Sequence, residues 1–441
     1  MKIILLSGGS GKRLWPLSND ARSKQFLRIL TAPDGEKESM IQRVVRQMRD
    51  AGIADDIVVA TGISQKDEVE NQLGSSLTVV TEPCRRGTFH AILLACSYLV
   101  GQGVSSDETV VVVPCDSYTS TRYFSSVAKM ADAVAENVAD LVLMGISPTY
   151  PSEKYGYILP DGTGEVESVK YFVDKPDISV ARNLITEGAL WNGGVFAFRL
   201  GYLLSAAAKM GYESDFDSLR ANYAALPKSS FDQAVVEPAE SVGVVSYTGQ
   251  WKDLGTWNTL SEELHEPVYG NVRFEDCTGT YIINELEIPV VCIGGKDLVI
   301  AASHDGILVS DRGKSEQLKS LVNGIDKRPM YEERRWGEYK VIDSIEFPDG
   351  FCALTKQLTL HPGKSISYQR HLCRTEVWTF ISGEGEIVLD GVRKPVRRGD
   401  TVHIPQGQLH ALLAITPLTF IEVQSGSNLV EEDIERFPYE W

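Results

Sequence analysis

The first thirty residues carry glycines and cations at a spacing that could bind a polyphosphate. An apolar run, Lys2–Leu6, predicts a buried strand, and a glycine-rich loop follows it directly. The loop glycines are Gly8, Gly9 and Gly11. Because they have no Cβ, they let backbone N–H groups come close to an anion. Arg13 and Lys24 add positive charge beside the loop, as a polyphosphate requires.

Two common phosphate-binding loops do not fit this segment. A Walker loop needs Gly at position 6 and Ser or Thr at position 13, where this chain has Leu6 and Arg13. A dinucleotide fingerprint needs a glycine at position 14, which is Leu14. The remaining pattern is Gly-Gly-Ser-Gly-x-Arg-Leu-x-Pro-Leu, with Lys24-Gln25 further on. It resembles the signature loop of sugar-nucleotide pyrophosphorylases, in particular mannose-1-phosphate guanylyltransferases.

Composition narrows the class of partner. The net charge of −17 argues against nucleic acid or an anionic membrane, so a polyanionic substrate needs a local basic pocket. No apolar run reaches membrane-spanning length, and we expect the apolar start to be a strand that leads into the loop and not a signal peptide. The seven cysteines form no C-x-x-C pair. This usage predicts reduced thiols in a cytoplasmic protein.

A chain of 441 residues predicts two or three domains. Residues 1–262 alternate short apolar runs, at 57–60, 77–80, 109–113 and 141–144, with helical patterns at 39–51, 90–100 and 123–138. This alternation predicts an α/β fold with a mostly parallel sheet and helices on both faces. Residues 263–330 predict a β-rich connecting unit, and the short strands and glycine turns of 331–441 predict a small β-barrel. With the family resemblance, we expect a Rossmann-like nucleotidyltransferase followed by a cupin.

Two acidic residues are candidates for binding Mg²⁺. Asp116 follows directly after the apolar run 109–113, at the end of the sheet where ligands bind. A helix cap or a turn is the alternative role for it. Asp253 lies in a segment that resembles the family's Trp-x-Asp-x-Gly-x-Trp. The resemblance implies that the two carboxylates share one Mg²⁺, whose hard-cation chemistry suits triphosphate oxygens. The family usually has His after the first Asp, and here it is Ser117.

The nucleotide side departs from the family in part. Guanylyltransferases usually show Glu-Pro-x-x-Arg-Asn-Thr-Ala-Pro-Ala, whereas here Gly87 replaces Asn and Phe89-His90 replace Ala-Pro. Guanine is therefore the expected base, and base choice stays open. The resemblance implies nucleotide contacts from Leu6, Gly8, Gly9, Gly11, Lys12, Glu82, Arg86, Gly87 and Thr88.

Three segments resemble the family's sugar-binding motifs and occur in the family's order. They are Tyr-Gly-Tyr-Ile from 155, Val-Asp-Lys-Pro from 173 and Trp-Asn-Gly-Gly-Val-Phe from 191. Singly, a surface turn or a core aromatic would explain each. The resemblance implies sugar-phosphate contacts from Gly156, Tyr157, Asp174, Lys175, Asn192 and Gly193. Asp174 replaces the usual Glu and is one methylene shorter, which leaves the preferred sugar open.

The last region resembles the cupin half of bifunctional guanylyltransferases, which carries mannose-6-phosphate isomerase activity. Four residues match its metal-site positions: Gln369, His371, Glu376 and His410. They could bind one divalent metal. Three family histidines are replaced by Leu372, Cys373 and Val377, and the family's C-terminal Asp-x-Tyr-Gly-Arg is absent. These changes predict apolar surroundings for the metal and loss of isomerase activity. A cupin kept for packing or dimerisation is the alternative.

The resemblance implies a reaction of an NTP with a sugar 1-phosphate that yields an NDP-sugar and pyrophosphate, with GTP and mannose 1-phosphate as the expected pair. Catalysis needs positioning and charge neutralisation without a covalent enzyme intermediate. Arg13 would hold the β- and γ-phosphates, Lys24 the α-phosphate, and Asp116 with Asp253 the Mg²⁺. We expect a homodimer. Three alternatives remain: another base or a heptose phosphate, a bifunctional enzyme, and a non-catalytic sugar-nucleotide sensor.

Overall fold

The computed structural model describes residues 1–9, 11–54, 56–325, 328–430 and 433–441. The chain divides into two compact units. The first unit comprises residues 1–14, 18–267 and 311–319, and the second comprises 15–17, 268–310 and 320–441. Within the described ranges, no helix is long and apolar enough to cross a membrane.

The first unit is an α/β structure. Its strands are β1 Lys2–Leu6, β2 Leu30–Thr31, β3 Lys37–Glu38, β4 Ile57–Gly62, β5 Thr78–Glu82, β6 Thr109–Pro114, β7 Ser117–Thr119, β8 Leu141–Ile146, β9 Tyr157–Asp161, β10 Glu167–Val173, β11 Leu190–Arg199, β12 Val242–Tyr247 and β13 Trp251–Asp253. Its α-helices are α1 Met40–Asp50, α2 Lys66–Leu73, α3 Thr88–Gly101, α4 Arg122–Ala135, α5 Ile178–Thr186, α6 Leu200–Lys209, α7 Phe216–Ala221 and α8 Trp257–Ser261. Short 3₁₀ helices span Gly11–Leu14, Lys24–Phe26, Ile63–Gln65, Tyr223–Ala225 and Arg312–Gln317, and a π helix spans Asp232–Val236.

Nine of these strands form one sheet in the order β5-β4-β1-β6-β11-β8-β12-β10-β9. The pairings set their directions: β5, β4, β1 and β6 are parallel, and so are β8 and β12, while β11 is antiparallel to both β6 and β8. Because β10 is antiparallel to both β12 and β9, seven strands run one way and two run the other. The predicted Rossmann-like α/β fold with a mostly parallel sheet is confirmed.

Both faces of this sheet are covered by helices, because successive side chains on a buried strand point to opposite sides. Ile3 and Leu5 of β1 pack with Val44 of α1 on one face. Ile4, between them, packs with Leu93 of α3 on the other face. The two apolar layers hold the ends of the strands, and the loops after them, in fixed positions.

The second unit is almost entirely β structure. Its strands are β14 Val268–Gly270, β15 Val272–Glu275, β16 Tyr281–Asn284, β17 Val290–Ile293, β18 Leu298–Ser303, β19 Gly306–Asp311, β20 Tyr331–Arg334, β21 Gly337–Glu346, β22 Cys352–Leu360, β23 Ser365–His371, β24 Arg374–Ser382, β25 Glu384–Leu389, β26 Val392–Arg397, β27 Thr401–Ile404, β28 His410–Ala414, β29 Leu418–Gly426 and β30 Ile434–Phe437. A helix, α9 Leu318–Val322, begins in the first unit and ends in the second.

Two architectures occur within the second unit. From β14 to β18 the chain winds between two small parallel sheets, since β14, β16 and β18 pair in one and β15 and β17 in the other. From β20 onward two antiparallel sheets, β20-β21-β22-β29-β24-β27 and β26-β25-β28-β23-β30, enclose an apolar core that includes Trp378, Phe380 and Phe420. This is the expected cupin barrel. The three-domain division at 262 and 330 stays a prediction.

Candidate functional site

Hydrogen bonds from side chains to backbone carbonyl oxygens fix the glycine-rich loop that follows β1. The carbonyl oxygen of Gly9 accepts hydrogen bonds from Ser23 Oγ at 3.0 Å, Gln65 Nε2 at 3.2 Å and Arg85 Nη2 at 3.0 Å. Gln25 Nε2 donates to the Ser7 carbonyl at 2.9 Å. Gly9 adopts a φ of +134°, a conformation that favours glycine. The loop is therefore fixed in shape while Gly8 and Gly9 remain exposed to a ligand.

Lys24, Asp116 and Asp253 meet at one point. The Lys24 ammonium lies 2.8 Å from Asp116 Oδ2 and 3.1 Å from Asp253 Oδ1. Pairing of β7 with β13 brings the two acids together, because Asp253 lies opposite Ser117, the neighbour of Asp116. Carboxylates that are 137 positions apart in sequence thus share one cation.

Burial and the neighbouring charges shift the pKa values of Lys24 and Asp116 in opposite directions. Burial disfavours the ammonium of Lys24, but the carboxylates of Asp116 and Asp253 outweigh it and raise the Lys24 pKa above its ordinary value. Burial would raise the pKa of Asp116, and the charge of Lys24, its hydrogen bond and the charge of Arg13 together hold that pKa below its usual range. Lys24 and Asp116 are therefore both charged near neutral pH.

Gly255 lies beside both Asp253 and Arg13. A Cβ at position 255 would lie 3.0 Å from Asp253 Oδ1 and 3.2 Å from Arg13 Nη1. These distances are tighter than ordinary van der Waals contact, so a side chain at this position would require Asp253 and Arg13 to shift. Lys12, on the same 3₁₀ turn as Arg13, lies 3.9 Å from Asp20 Oδ2.

The donor set fits a magnesium ion. Two carboxylates converge on one positive charge, the Lys24 ammonium, so their oxygens can reach a common cation. Both donors are hard oxygen ligands of the kind that Mg²⁺ prefers. A magnesium site usually takes one or two carboxylates and completes its coordination with water and phosphate oxygens.

The predicted nucleotide residues beyond the loop contact the segment 223–231. Glu82, only 8% exposed, accepts a 2.6 Å hydrogen bond from the Tyr223 hydroxyl, and burial raises the Glu82 pKa. The Arg86 guanidinium donates to the carbonyls of Tyr223 and Ala224. These contacts are with protein groups, and contact with a nucleotide stays a prediction, as it does for the half-buried Leu6 at the end of β1.

Gly87 and Thr88 bind the next part of that segment. Gly87 has a φ of +95°, and a Cβ there would lie 2.1 Å from the carbonyl oxygen of Ser229. Thr88 Oγ1 accepts a 2.9 Å hydrogen bond from the Phe231 backbone N–H. The position where the family usually has Asn therefore has no room for any side chain in this chain.

Asp174, Lys175 and Asn192 form a polar cluster with an acid that sequence reasoning missed. Lys175 Nζ lies 2.7 and 2.9 Å from the two oxygens of Asp174. Asn192 Nδ2 donates to Asp232 Oδ1 at 2.6 Å. Asp232 is 40 positions from Asn192 and lies in no recognised motif, so nothing in the sequence pointed to it.

The remaining predicted sugar residues have structural partners. A Cβ on Gly156 would lie 2.7 Å from a ring carbon of Phe172, so packing is a sufficient reason for glycine at this position. Its carbonyl accepts a hydrogen bond from the Asn192 N–H at 2.8 Å. Gly193 packs against Ile146. Tyr157 is completely buried and its hydroxyl bonds the Ser152 backbone, so its side chain is not placed to contact a sugar.

In the barrel, three of the four predicted metal ligands point at one another. His371 Nε2 lies 3.2 Å from Glu376 Oε1, and His410 Nε2 lies 3.7 Å from Glu376 Oε2. One ligand atom from each of the three lies within 4.8 Å of the others. Gln369 Nε2 is 3.4 Å from His371 Nε2, and all four side chains are buried. The set of imidazole, carboxylate and amide groups fits a first-row divalent metal.

The surroundings of this cluster are polar, which corrects the prediction of an apolar environment. Arg374 Nε donates to Glu376 Oε1 at 2.9 Å, and Gln424 Nε2 donates to the same oxygen at 3.2 Å. Leu372 and Val377 are instead 45% and 36% exposed. Strand alternation on β24 turns Glu376 into the barrel and Val377 out of it. Cys373 donates its backbone N–H to Asp433.

Comparison with known proteins agrees with both halves of this description. Residues 2–266 match the family described as Nucleotidyl transferase, and residues 326–439 match Mannose-6-phosphate isomerase C-terminal. Mannose-1-phosphate guanylyltransferase from Escherichia coli (strain K12) is 30% identical over 477 residues, covering 98% of this chain and 97% of the relative. Xanthan biosynthesis protein XanB from Xanthomonas campestris pv. campestris (strain B100) is 32% identical over 468 residues, covering 98% and 97%.

A solved structure extends the likeness to three dimensions. The crystal structure of "mannose-1-phosphate geranyltransferase" from Thermus thermophilus superposes with a TM-score of 0.63 at 26% identity, covering 74% of this chain and 99% of that chain. The chain therefore belongs to the mannose-1-phosphate guanylyltransferases, nucleotidyltransferases that carry a C-terminal mannose-6-phosphate isomerase domain.

Proposed function

We propose that this enzyme makes GDP-mannose and pyrophosphate from GTP and mannose 1-phosphate. The observation that carries the proposal is Lys24, held between Asp116 and Asp253 beside the glycine-rich loop. That arrangement supplies a cation and two oxygen ligands where a triphosphate would lie on the loop. The names of the relatives support the choice of guanine and mannose.

The reaction is an in-line substitution at the α-phosphorus. An oxygen of the sugar phosphate forms the new bond to phosphorus, and the bond to the α,β-bridging oxygen breaks and releases pyrophosphate. Lys24 neutralises charge on the α-phosphate and Arg13 on the β- and γ-phosphates, while the loop N–H groups bind the phosphate oxygens. Mg²⁺ held by Asp116 and Asp253 supplies Lewis-acid charge neutralisation when it is bound.

The polar cluster at the sugar motifs would bind the second substrate. Lys175 is exposed enough to reach a phosphate, with 53% of its side chain accessible. Asp174 and Asn192 offer an acceptor and an amide to the sugar hydroxyls. Positioning of the sugar phosphate for in-line attack is the main contribution that these residues make to the rate.

Pyrophosphate release with each of GTP, CTP, UTP, ATP and dTTP, together with mannose 1-phosphate and Mg²⁺, tests the proposal. We expect turnover with GTP. Turnover with another nucleotide alone would keep the mechanism and change the base. No turnover with any of them would refute mannose 1-phosphate as the substrate, and a heptose phosphate would then be tried.

A substitution of Asp253, compared with a control substitution of Asp161, tests the proposed role of the acidic residues in binding Mg²⁺. Asp253→Asn keeps the volume of the side chain and removes its charge, so we expect a loss of kcat of at least about a hundredfold, as is typical when a charge-stabilising group is removed. Asp161→Asn, at an exposed strand end, is the control and should keep wild-type activity. Near-normal activity of Asp253→Asn would contradict the metal assignment.

Isomerisation of mannose 6-phosphate in the barrel is the second candidate function. The polar surroundings of Glu376, with Arg374 and Gln424 within hydrogen-bond distance, favour it. Formation of fructose 6-phosphate after loading with a divalent metal tests this activity. We also infer that the protein is cytoplasmic, because each of the seven cysteines is a free thiol, which supports a reducing compartment. We infer a homodimer as well, and light scattering tests this oligomeric state.

A further inference from the structure

Asp232 is a carboxylate at the sugar motifs that the proposed mechanism does not use. It begins the π helix Asp232–Val236, a rare geometry that often marks functional sites. Phe231, just before it, is completely buried and its ring lies 4.5 Å from Phe196 and 5.7 Å from Phe198. Core packing therefore fixes the backbone from which Asp232 projects.

Asp232 fixes the orientation of the Asn192 amide. Asn192 Nδ2 donates to Asp232 Oδ1 at 2.6 Å, and Asn192 Oδ1 accepts from the Gly194 N–H at 3.0 Å. An asparagine held at both ends cannot exchange its donor and acceptor sides. Within the part of the chain that the structure describes, one N–H of Asn192 and further acceptor sites of the Asp232 carboxylate are left for a ligand.

The charges around Asp232 suit a hydroxyl-bearing ligand with a phosphate. Burial raises the pKa of Asp232, the nearby Asp174 raises it further, and Lys175 opposes both. Two carboxylates, one ammonium and one amide thus lie together, and Lys175 contacts both oxygens of Asp174. Carboxylates accept hydrogen bonds from sugar hydroxyls, and the lysine is the group that a phosphate would attract.

We propose that Asp232 is a positioning residue for sugar choice: it holds Asn192 in the one amide orientation that reads a hydroxyl of a hexose 1-phosphate. This inference rests on the proposed function and deepens it. Asp232 acts through Asn192, so its effect falls on the sugar phosphate and not on the nucleotide.

Steady-state kinetics of Asp232→Ala and Asp232→Asn test the inference. We expect Asp232→Ala to raise the KM for mannose 1-phosphate about ten- to a hundredfold, the usual cost of losing one charge-assisted hydrogen bond, with the KM for GTP unchanged. Asp232→Asn, whose amide oxygen can still accept from Asn192, should recover part of the loss. The preference for mannose 1-phosphate over glucose 1-phosphate should narrow in Asp232→Ala. Asp217→Ala, at an exposed site on α7, is the matched control.

A double variant separates positioning from general structural damage. If Asp232 acts through Asn192, Asn192→Ala combined with Asp232→Ala should be no worse than Asn192→Ala alone. Independent effects that add, or an equal rise in the KM for GTP, would overturn the inference. An unchanged KM for the sugar phosphate in Asp232→Ala would overturn it as well.

Binding measured by calorimetry with mannose 1-phosphate and with glucose 1-phosphate distinguishes a failure of the inference about Asp232 from a failure of the proposed substrate. If the wild type converts another hexose 1-phosphate and Asp232→Ala loses affinity for that one, the inference holds and the proposed substrate is wrong. If the wild type uses mannose 1-phosphate and the variant keeps wild-type affinity, the inference alone is wrong. A wild type that neither binds nor converts any hexose 1-phosphate refutes both.

Discussion

His90 is a titratable side chain in the core of the first unit. It is completely buried, and its ring lies 5.0 Å from Phe89 and 5.3 Å from Tyr212. Nδ1 lies 3.2 Å from the Arg86 carbonyl, and Nε2 has no hydrogen-bond partner in the part of the chain that the structure describes. Burial lowers the pKa of His90 and outweighs the opposing hydrogen bond with the Arg86 backbone, so the folded protein keeps this imidazole neutral near neutral pH.

The buried imidazole predicts acid sensitivity. Because the folded-state pKa lies below the unfolded value of about 6.5, the unfolded chain takes up the proton first. The contribution of His90 to stability is therefore fully present above pH 6.5 and is lost below it by up to about 1.4 kcal/mol per pH unit, until the folded pKa is reached. His90→Phe should flatten this dependence in urea unfolding between pH 7.5 and 5.5. His265→Phe, at an exposed site, should not, and equal slopes in the two variants would contradict the prediction.

At the residue scale, the sequence predicted side-chain chemistry and could not predict contacts. Arg13, Lys24, Asp116 and Asp253 are recognisable from their motifs. Motifs assigned Lys24 to a phosphate and the two acids to a metal, and the structure places all three in contact, because two nearby carboxylates repel each other unless a cation lies between them. Asp232 was missed for a related reason, since its importance comes from a partner 40 positions away.

At the element scale, the start of α3 is held by the segment 229–231. Ser229 N–H donates to the Arg86 carbonyl at 3.0 Å, and the Phe89 N–H donates to the Ser229 carbonyl at 3.3 Å. Gly87 lies between these two bonds, and its φ of +95° lets the segment come close. The departure of Gly87 from the family pattern is therefore a packing requirement of this chain.

Gly87→Ala should destabilise the first unit. The positive φ costs an alanine about 1–2 kcal/mol, and the collision with Ser229 adds about 1–3 kcal/mol. Gly103→Ala is the matched control, because Gly103 has a similar φ of +80° and nothing within 4 Å of the place where its Cβ would stand. The free energies of unfolding of the two variants, from urea titration, should differ by the collision alone. No difference between them would show that Ser229 moves aside at no cost.

Hydrophobic periodicity predicted the helices and strands of the first unit well, but it did not predict the order of the strands in the sheet. The patterns at 39–51, 90–100 and 123–138 correspond to α1 Met40–Asp50, α3 Thr88–Gly101 and α4 Arg122–Ala135. The apolar runs correspond to β4, β5, β6 and β8. The insertion of the reversed β11 between β6 and β8 was not predictable, because a buried strand has the same pattern in either direction.

At the scale of the whole molecule, each unit contains its own cluster of chemically active groups. The glycine-rich loop, the acidic pair and the sugar motifs lie in the first unit, and the histidine cluster lies in the second. The sequence predicted both clusters. It misjudged the environment of the second, because the side chains of Leu372 and Val377 are exposed, which the sequence alone did not show.

This separation predicts that metal binding in the barrel and nucleotidyl transfer can be changed independently. Wild-type protein loaded with a first-row divalent metal such as Zn²⁺ and then desalted should keep about one ion per chain by elemental analysis, since imidazole and carboxylate ligands of the kind supplied by His371, Glu376 and His410 bind such metals. His410→Ala and Glu376→Gln should each lose the ion and keep wild-type pyrophosphate release. His403→Ala, an exposed histidine of the same barrel, should keep both. An ion retained by His410→Ala and Glu376→Gln would show that the cluster is a hydrogen-bonded network without a metal, with Arg374 supplying its positive charge.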